Sequence, residues 1–256
     1  MPHLPDTKNT NYIFIELQSV DSTNNYARQL IHAGMAQTGM AIFTDEQLAG
    51  KGQRGKVWAS EKDVNIALSI VISPKPLKVT QQFQLSACVA VALHQFFFQY
   101  AGDDTKIKWP NDLYWQDRKA GGILIENMIG SGGNWEWAIC GMGININQTS
   151  FSPHLPNPVS LKQITGNDFN VVSLAKELCI CLNEKFQELI NSGFEPIYNQ
   201  YIQLLYKLNE KVKLKKDSRV FEAMIKSVSP EGKLVVQHSI EEEFNFGEVE
   251  WFNNRD

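Results

Sequence analysis

Two periods of apolar residues alternate along this chain, and their alternation predicts its elements. Runs with a strand-like pattern occur at 12–17, 41–45 and 65–73, the last stopped by Pro74 and Pro76. Between the first two lies an amphipathic run to about Ala33, opened by Asp21 or Ser22. Either side-chain oxygen can cap a helix by accepting from first-turn N–H groups. Residues 80–100 carry Phe83, Ala87, Val91, Leu93 and Phe97 near helical spacing, which predicts a long buried helix. His94 within it reads as a packed histidine rather than a ligand. Residues 119–126 and 135–141 flank the glycine-rich turn 130–134, as in an antiparallel pair. Residues 151–158 read as a Pro-rich loop. A stripe at 171, 174, 178, 182, 186 and 189 predicts a helix, and 194–208 predicts another. From Lys211 the texture changes to short strand-like pieces at 211–215, 221–228, 233–238 and 243–251, with a turn at Pro230-Glu231-Gly232. About fifty residues of short strands read as a small β-barrel. So small a unit is marginal alone, so it is expected to pack on the larger one.

Composition narrows the class. The 256 residues are 43% hydrophobic and 20% charged, ordinary for a soluble globular chain with room for a full core. The net charge of −4 gives no global attraction to nucleic acid or an acidic membrane. Cys88, Cys140, Cys179 and Cys181 show neither zinc-site nor CxxC spacing, so reduced, mostly buried thiols in the cytoplasm are expected. Residues 1–11 are polar and lack a signal-peptide pattern, and no apolar run is long enough to span a bilayer.

Four stretches carry candidate chemistry. Gly50-Lys51-Gly52-Gln53-Arg54-Gly55-Lys56-Val57-Trp58 follows a strand and combines three glycines with three cations. Its backbone can take positive φ and offer successive N–H groups to an anion; the competing reading is a solvated surface turn. Ser22-Thr23-Asn24 either caps a helix or hydrogen-bonds a polar ligand head. In Lys108-Trp109-Pro110-Asn111-Asp112 the proline leaves the ladder and the next two residues favour a turn. It leads to Lys119-Ala120-Gly121-Gly122-Ile123-Leu124. A lysine at a strand start is ordinarily a solvated residue, but two adjacent glycines argue for close approach to a ligand. Gly141-Met142-Gly143-Ile144-Asn145 again permits close backbone approach.

In this order the four stretches, with Gln47 leading into the glycine loop, resemble the biotin protein ligase (biotin–[acetyl-CoA-carboxylase] ligase) family over about residues 12–147. The resemblance implies an α+β fold: a mixed sheet flanked by helices, with a small C-terminal SH3-like β-barrel. It implies a catalytic ligase domain at 1–207 and the SH3-like domain at 208–256. It further implies an enzyme that activates biotin with ATP as biotinyl-5′-AMP, then transfers it to a lysine of a biotin carboxyl carrier protein of a biotin-dependent carboxylase. Two anions must meet, which calls for fixed positive charge and Mg²⁺. By position in the family pattern, Lys119 and Asp112 are catalytic. Lys119 also joins Ser22, Thr23, Asn24, Gln47, Lys51, Gly52 and Gln53 around biotin. Gly50, Arg54, Lys56, Trp58, Asn111 and Asn145 are expected at the nucleotide, with Asp112 as the Mg²⁺ ligand because a carboxylate suits that ion. Many family members carry arginine where this chain has Lys51 and Gln53. Lysine keeps the charge without the bidentate fork and glutamine loses the charge, so adenylate retention here falls to Arg54, Lys56 and backbone N–H groups.

Some family members begin with a DNA-binding winged helix. About eleven residues precede the first strand here, so a ligase-only form is expected, cytoplasmic, a monomer or homodimer, and without DNA or membrane partners. Three other readings compete. A lipoate or octanoate ligase would lack the loop pattern and need a longer apolar tunnel. A DNA-binding biotin sensor conflicts with the net charge. A non-catalytic biotin binder leaves Lys119 and Asp112 without a purpose.

Overall fold

The computed structural model describes residues 12–252. The N-terminal segment 1–11, on which the signal-peptide and head-piece expectations rest, lies outside the described residues. The chain first forms β1 (Phe14–Leu17), α1 (Thr23–His32), β2 (Ala41–Thr44), β3 (Asn65–Ile72) and α2 (Gln82–Ala101). A meander follows: β4 (Thr105–Lys108), β5 (Asp112–Trp115), β6 (Arg118–Ile129) and β7 (Trp135–Asn145). Then come α3 (Leu161–Thr165), α4 (Val171–Ser192) and α5 (Phe194–Gln203). Among the described residues these strands make one seven-stranded sheet in the order β1-β2-β3-β7-β6-β5-β4. Only β1 and β2 pair in parallel, because α1 carries the chain back between them; the other pairs are antiparallel. The mixed sheet expected from the resemblance is therefore present.

β3 reads Asn-Ile-Ala-Leu-Ser-Ile-Val-Ile and is buried at all eight positions. Both of its faces are covered, α1 packing on one side and α4 on the other, so alternation gives way to a continuous apolar run. One layer beneath α1 contains Ala27, Met40, Ile42, Val71 and Ile139. The larger layer is filled by α2, whose Leu85, Leu93, Phe96 and Phe97 are fully buried, and by α4. His94 packs as expected, its Nε2 2.9 Å from the Thr105 carbonyl. All four cysteines are free and buried. Among the described residues no helix is long and apolar enough to cross a membrane.

Three local expectations need correction. α5 ends at Gln203, not 208. The next residues serve the edge strand β4 instead: Ile107 N–H donates to Leu204 O and Tyr206 N–H to Ile107 O, covering an otherwise open edge. β7 continues through Gly141 and Gly143 to Asn145, with Gly141 opposite Ser69 and Gly143 opposite Ala67. Those glycines make room above the strand rather than ending it. Ser22 takes the N-cap position of α1 but its side chain makes no capping bond.

The rest of the chain forms β8 (Lys211–Lys216), β9 (Arg219–Val228), β10 (Leu234–Gln237), β11 (Glu241–Phe244) and β12 (Glu250–Trp251). They make a separate antiparallel sheet in the order β11-β10-β9-β8-β12, consistent with an SH3-like unit. Leu214, Ile225, Leu234 and Phe244 are buried continuously with the main core, so this small sheet stands on the large unit's apolar surface. Trp109 Nε1 donates to Gly232 O at 3.0 Å, and Trp251 Nε1 to Trp109 O at 3.3 Å.

Candidate active site

A pocket of about 790 Å³ opens where the sheet, the start of α1, the glycine loop and the C-terminal sheet meet. All the site residues singled out in the sequence line it except Gly50. Gly50 is buried beside the pocket. A Cβ there would lie 2.3 Å from the Trp58 carbonyl oxygen, so Gly50 lets the two ends of the loop close on each other.

The floor is polar. Ser22, Thr23 and Asn24 are nearly inaccessible at the start of α1. Thr23 N–H donates to Gln47 Oε1 at 2.9 Å, and Ser69 Oγ lies 2.6 Å from Asn24 Oδ1. Gly141 is required here, since a Cβ would sit 2.4 Å from Asn24 Oδ1. Gly143 plays the same part for Trp58, whose Cε2 would be 2.4 Å from an added Cβ.

The loop is a short hairpin. Gly52 N–H donates to Lys56 O at 2.7 Å and Trp58 N–H to Gly50 O at 3.0 Å, around a 3₁₀ turn at Gln53–Gly55. Arg54 and Gly55 both have positive φ, +56° and +75°. Lys51 Nζ donates to Asn25 Oδ1 at 2.7 Å. The Arg54 guanidinium lies 5.9 Å from the Phe246 ring centroid and 3.4 Å from the Gly247 carbonyl, so the C-terminal sheet reaches the loop. Gln53 Oε1 and Trp58 Nε1 are buried without a hydrogen-bond partner among the described residues. Both residues line the pocket, and such orphaned groups suit a polar ligand.

The wall opposite holds the charge. Lys119 Nζ lies 2.6 Å from Asp112 Oδ1, both side chains being less than one-third exposed. Their meeting depends on a β-bulge. Asp112 pairs with Gly122 and Leu113 with Gly121, but Tyr114 pairs with Lys119, leaving Ala120 as the extra residue. In an unbroken ladder Lys119 and Gly122, three residues apart, would face opposite sides of the sheet. The bulge puts Lys119 on the Asp112 face. A Cβ at Gly122 would come within 3.4 Å of Asp112 Oδ1 and 3.5 Å of Lys119 Nζ, so glycine leaves the pair open above.

Asn145 Nδ2 donates to Val159 O at 3.1 Å and to Lys119 O at 3.4 Å, which leaves its carbonyl oxygen for a ligand. Asn111 Nδ2 donates to Ile123 O at 2.6 Å, which leaves one N–H and the carbonyl oxygen for a ligand. The expected metal-ligand role of Asp112 meets a different arrangement, because its carboxylate is engaged by Lys119. Among the described residues no group of three or more His, Cys, Asp or Glu is placed to hold a metal ion. These residues do not build a resident Mg²⁺ site; they are compatible with Mg²⁺ that arrives on a nucleotide, since that ion binds through few carboxylates plus phosphates.

Several lining residues escaped the sequence reading. Lys108 is 7% exposed. Its Nζ lies 3.0 Å from Tyr114 Oη and over the rings of Tyr114 and Trp251, at 4.4 and 4.8 Å. Burial pulls its pKa down to about 8, partly opposed by the Asp112 charge. Phe151 and Leu155 give the pocket an apolar side from the loop read only as Pro-rich. Lys108 was visible as a cation beside Trp-Pro; its aromatic partners on β5 and β12 were not.

Residues 16–145 match the Biotin/lipoate A/B protein ligase family. The bifunctional ligase/repressor BirA of Bacillus spizizenii is 34% identical over 182 residues, covering 70% of this chain and 55% of that protein. The chain thus spans about half the length of that curated relative. A biotin–[acetyl-CoA-carboxylase] ligase of Paracoccus denitrificans is 27% identical over 227 residues, covering 86% of this chain and 92% of that protein. The structure of a biotin protein ligase from Aquifex aeolicus in complex with biotin and ATP superimposes with a TM-score of 0.79. It is 23% identical and covers 93% of this chain and 97% of that one, a likeness of fold.

Proposed function

The chain belongs to the biotin/lipoate A/B protein ligase family, and from that premise we propose that it is an ATP-dependent biotin–protein ligase. It activates biotin as biotinyl-5′-AMP and transfers the biotinyl group to one lysine of a biotin carboxyl carrier protein or domain. The observation that carries this reading is the Lys119–Asp112 pair, turned by the bulge into a pocket with a polar floor and a glycine-rich cationic loop.

In the first step a biotin carboxylate oxygen attacks the α-phosphorus of ATP and pyrophosphate leaves. Charge accumulates on the phosphoryl oxygens, and the Lys119 ammonium offsets it from a fixed position. Asp112 holds that ammonium in place. Mg²⁺ enters as part of the nucleotide substrate. The Gly50–Trp58 loop supplies N–H groups and the cations Arg54 and Lys56 to retain the adenylate, with water excluded beneath it. In the second step a neutral carrier lysine amine attacks the carbonyl of the mixed anhydride; the C–O bond to AMP breaks and the amine loses a proton. In this reading the ligase unit ends at residue 207 and the SH3-like unit begins at residue 208. The free, buried thiols support a reducing, cytoplasmic setting.

Intact mass spectrometry tests the reading. With ATP, Mg²⁺, biotin and a carrier domain, one biotinyl group should be added to the carrier; without ATP none should be. Greater thermal stabilisation by lipoate than by biotin, with no biotinyl transfer, would overturn it.

A further inference from the structure

Beneath the pocket floor a chain of hydrogen bonds runs back to an ion pair. Arg28, on α1, and Glu126, on β6, meet at 2.6 Å between Nη2 and Oε1. The other carboxylate oxygen accepts from Asn24 Nδ2 at 2.7 Å, and the Leu124 carbonyl accepts from the same nitrogen at 3.4 Å. Both neighbours can only accept when the carboxylate is ionised, so the Asn24 amide is held with its nitrogen toward β6 and Oδ1 toward β3. Ser69 Oγ, fully buried, lies 2.6 Å from that Oδ1 and 2.7 Å from Thr23 Oγ1. A hydroxyl has one proton, and the Ser69 proton goes to Asn24. The Thr23 proton is then directed to Ser69 Oγ or to Gln47 Oε1 at 3.2 Å. In either case it stays inside the protein, and Thr23 offers lone pairs to whatever lies above it.

We infer that Glu126, held by Arg28, is a positioning residue: it fixes the direction of the Asn24–Ser69–Thr23 chain so that Thr23 meets the substrate as a hydrogen-bond acceptor. The substrate head must therefore bring an N–H or O–H donor to the floor. This rests on the proposed biotin reading, in which a ureido N–H is that donor. Gly141 belongs to the same device, because any side chain there would push Asn24 out of line.

Steady-state kinetics of pyrophosphate release tests the inference. Glu126→Gln puts an amide where the carboxylate was, and an amide can both donate and accept. It is expected to raise the KM for biotin about tenfold, with kcat and the KM for ATP within about twofold. Arg28→Lys should stay closer to wild type than Arg28→Met. A second substrate probes direction: an analogue with a cyclic carbonate for the cyclic urea keeps the carbonyl and loses both N–H donors. The ratio of its KM to that of biotin should be large in the wild type and fall severalfold in Glu126→Gln. Should Glu126→Gln fail to fold, Ser69→Ala cuts the chain one link nearer the pocket and should shift the same ratio. Equal ratios in wild type and variant, or a loss of kcat with KM unchanged, would overturn the inference alone. A wild-type chain that does not use biotin would remove it together with the functional reading.

Discussion

The two sides of the pocket are held in opposite ways. The β5–β6 side is a ladder whose bulge sets Lys119 against Asp112, with strand neighbours on both edges. The loop side hangs from a few of its own backbone bonds and touches the C-terminal sheet through Arg54. The first arrangement suits a charge that must be in place before the transition state arrives. The second suits a wall that closes after the ligands have entered. Chemistry and retention should therefore be separable by mutation.

The largest effect is expected from Lys119→Ala, which removes the fixed charge from the rigid side. Adenylate formation, read as pyrophosphate release, should slow by about 10²–10³-fold, as for loss of one preorganised electrostatic group, while the melting curve stays near wild type. Wild-type rates would take Lys119 out of the chemistry. Next is Gly143→Ala, which strikes where the two sides meet. Its Cβ collides with the Trp58 ring, so the ring must move or the strand bend, at about 1–3 kcal/mol by denaturant unfolding. An unchanged midpoint would mean that Trp58 is not held by β7.

Gly52→Val acts on the loop alone. A Cβ there lies 3.2 Å from the Lys56 carbonyl, so closure is hindered but the Lys119–Asp112 wall is untouched. Adenylate should still form and leak, biotinylating bystander lysines. Hydrogen exchange over residues 50–57 should slow when biotin and ATP are added to the wild type. Equal protection with and without ligand, or a Gly52→Val chain that cannot bind biotin, would make the loop a rigid wall. The smallest effect concerns Lys108. Its folded pKa of about 8 lies below the ordinary 10.5 because it is buried, so the unfolded chain binds more protons between those values. Wild-type stability should gain from this group as pH rises from 8 toward 10.5. Lys108→Met should lack that gain, and parallel pH–stability curves would contradict it.

The sequence was most legible where one element explains itself. The α2 and α4 stripes, the 130–134 turn and the change of texture near Lys211 all follow from local periodicity or turn chemistry. Ser22, Thr23 and Gln47 became site candidates through the family resemblance, since by residue type alone Ser22 and Thr23 fit helix capping equally well. Asp112 was legible as a pocket residue but not as the partner of Lys119, because the bulge at Ala120 changes which face a residue occupies without leaving a mark in the order of letters. The close approach at Gly141 and Gly143 is legible in the sequence, but what approaches is not, because Asn24 and Trp58 come from distant segments; the strand also runs past residue 141 to Asn145.

By itself, then, the sequence determined what depends on neighbours within a turn or two: helices, strands and a basic glycine loop. The tertiary structure decided which of those residues meet. Glu126 and Arg28 are 98 positions apart and Asn24 and Glu126 are 102 apart, and nothing local to either marks the contact. Pairing, register and the direction of a buried hydrogen-bond chain are set by packing across the sheet. A carboxylate on the interior strand β6 can therefore determine what the pocket floor offers a substrate.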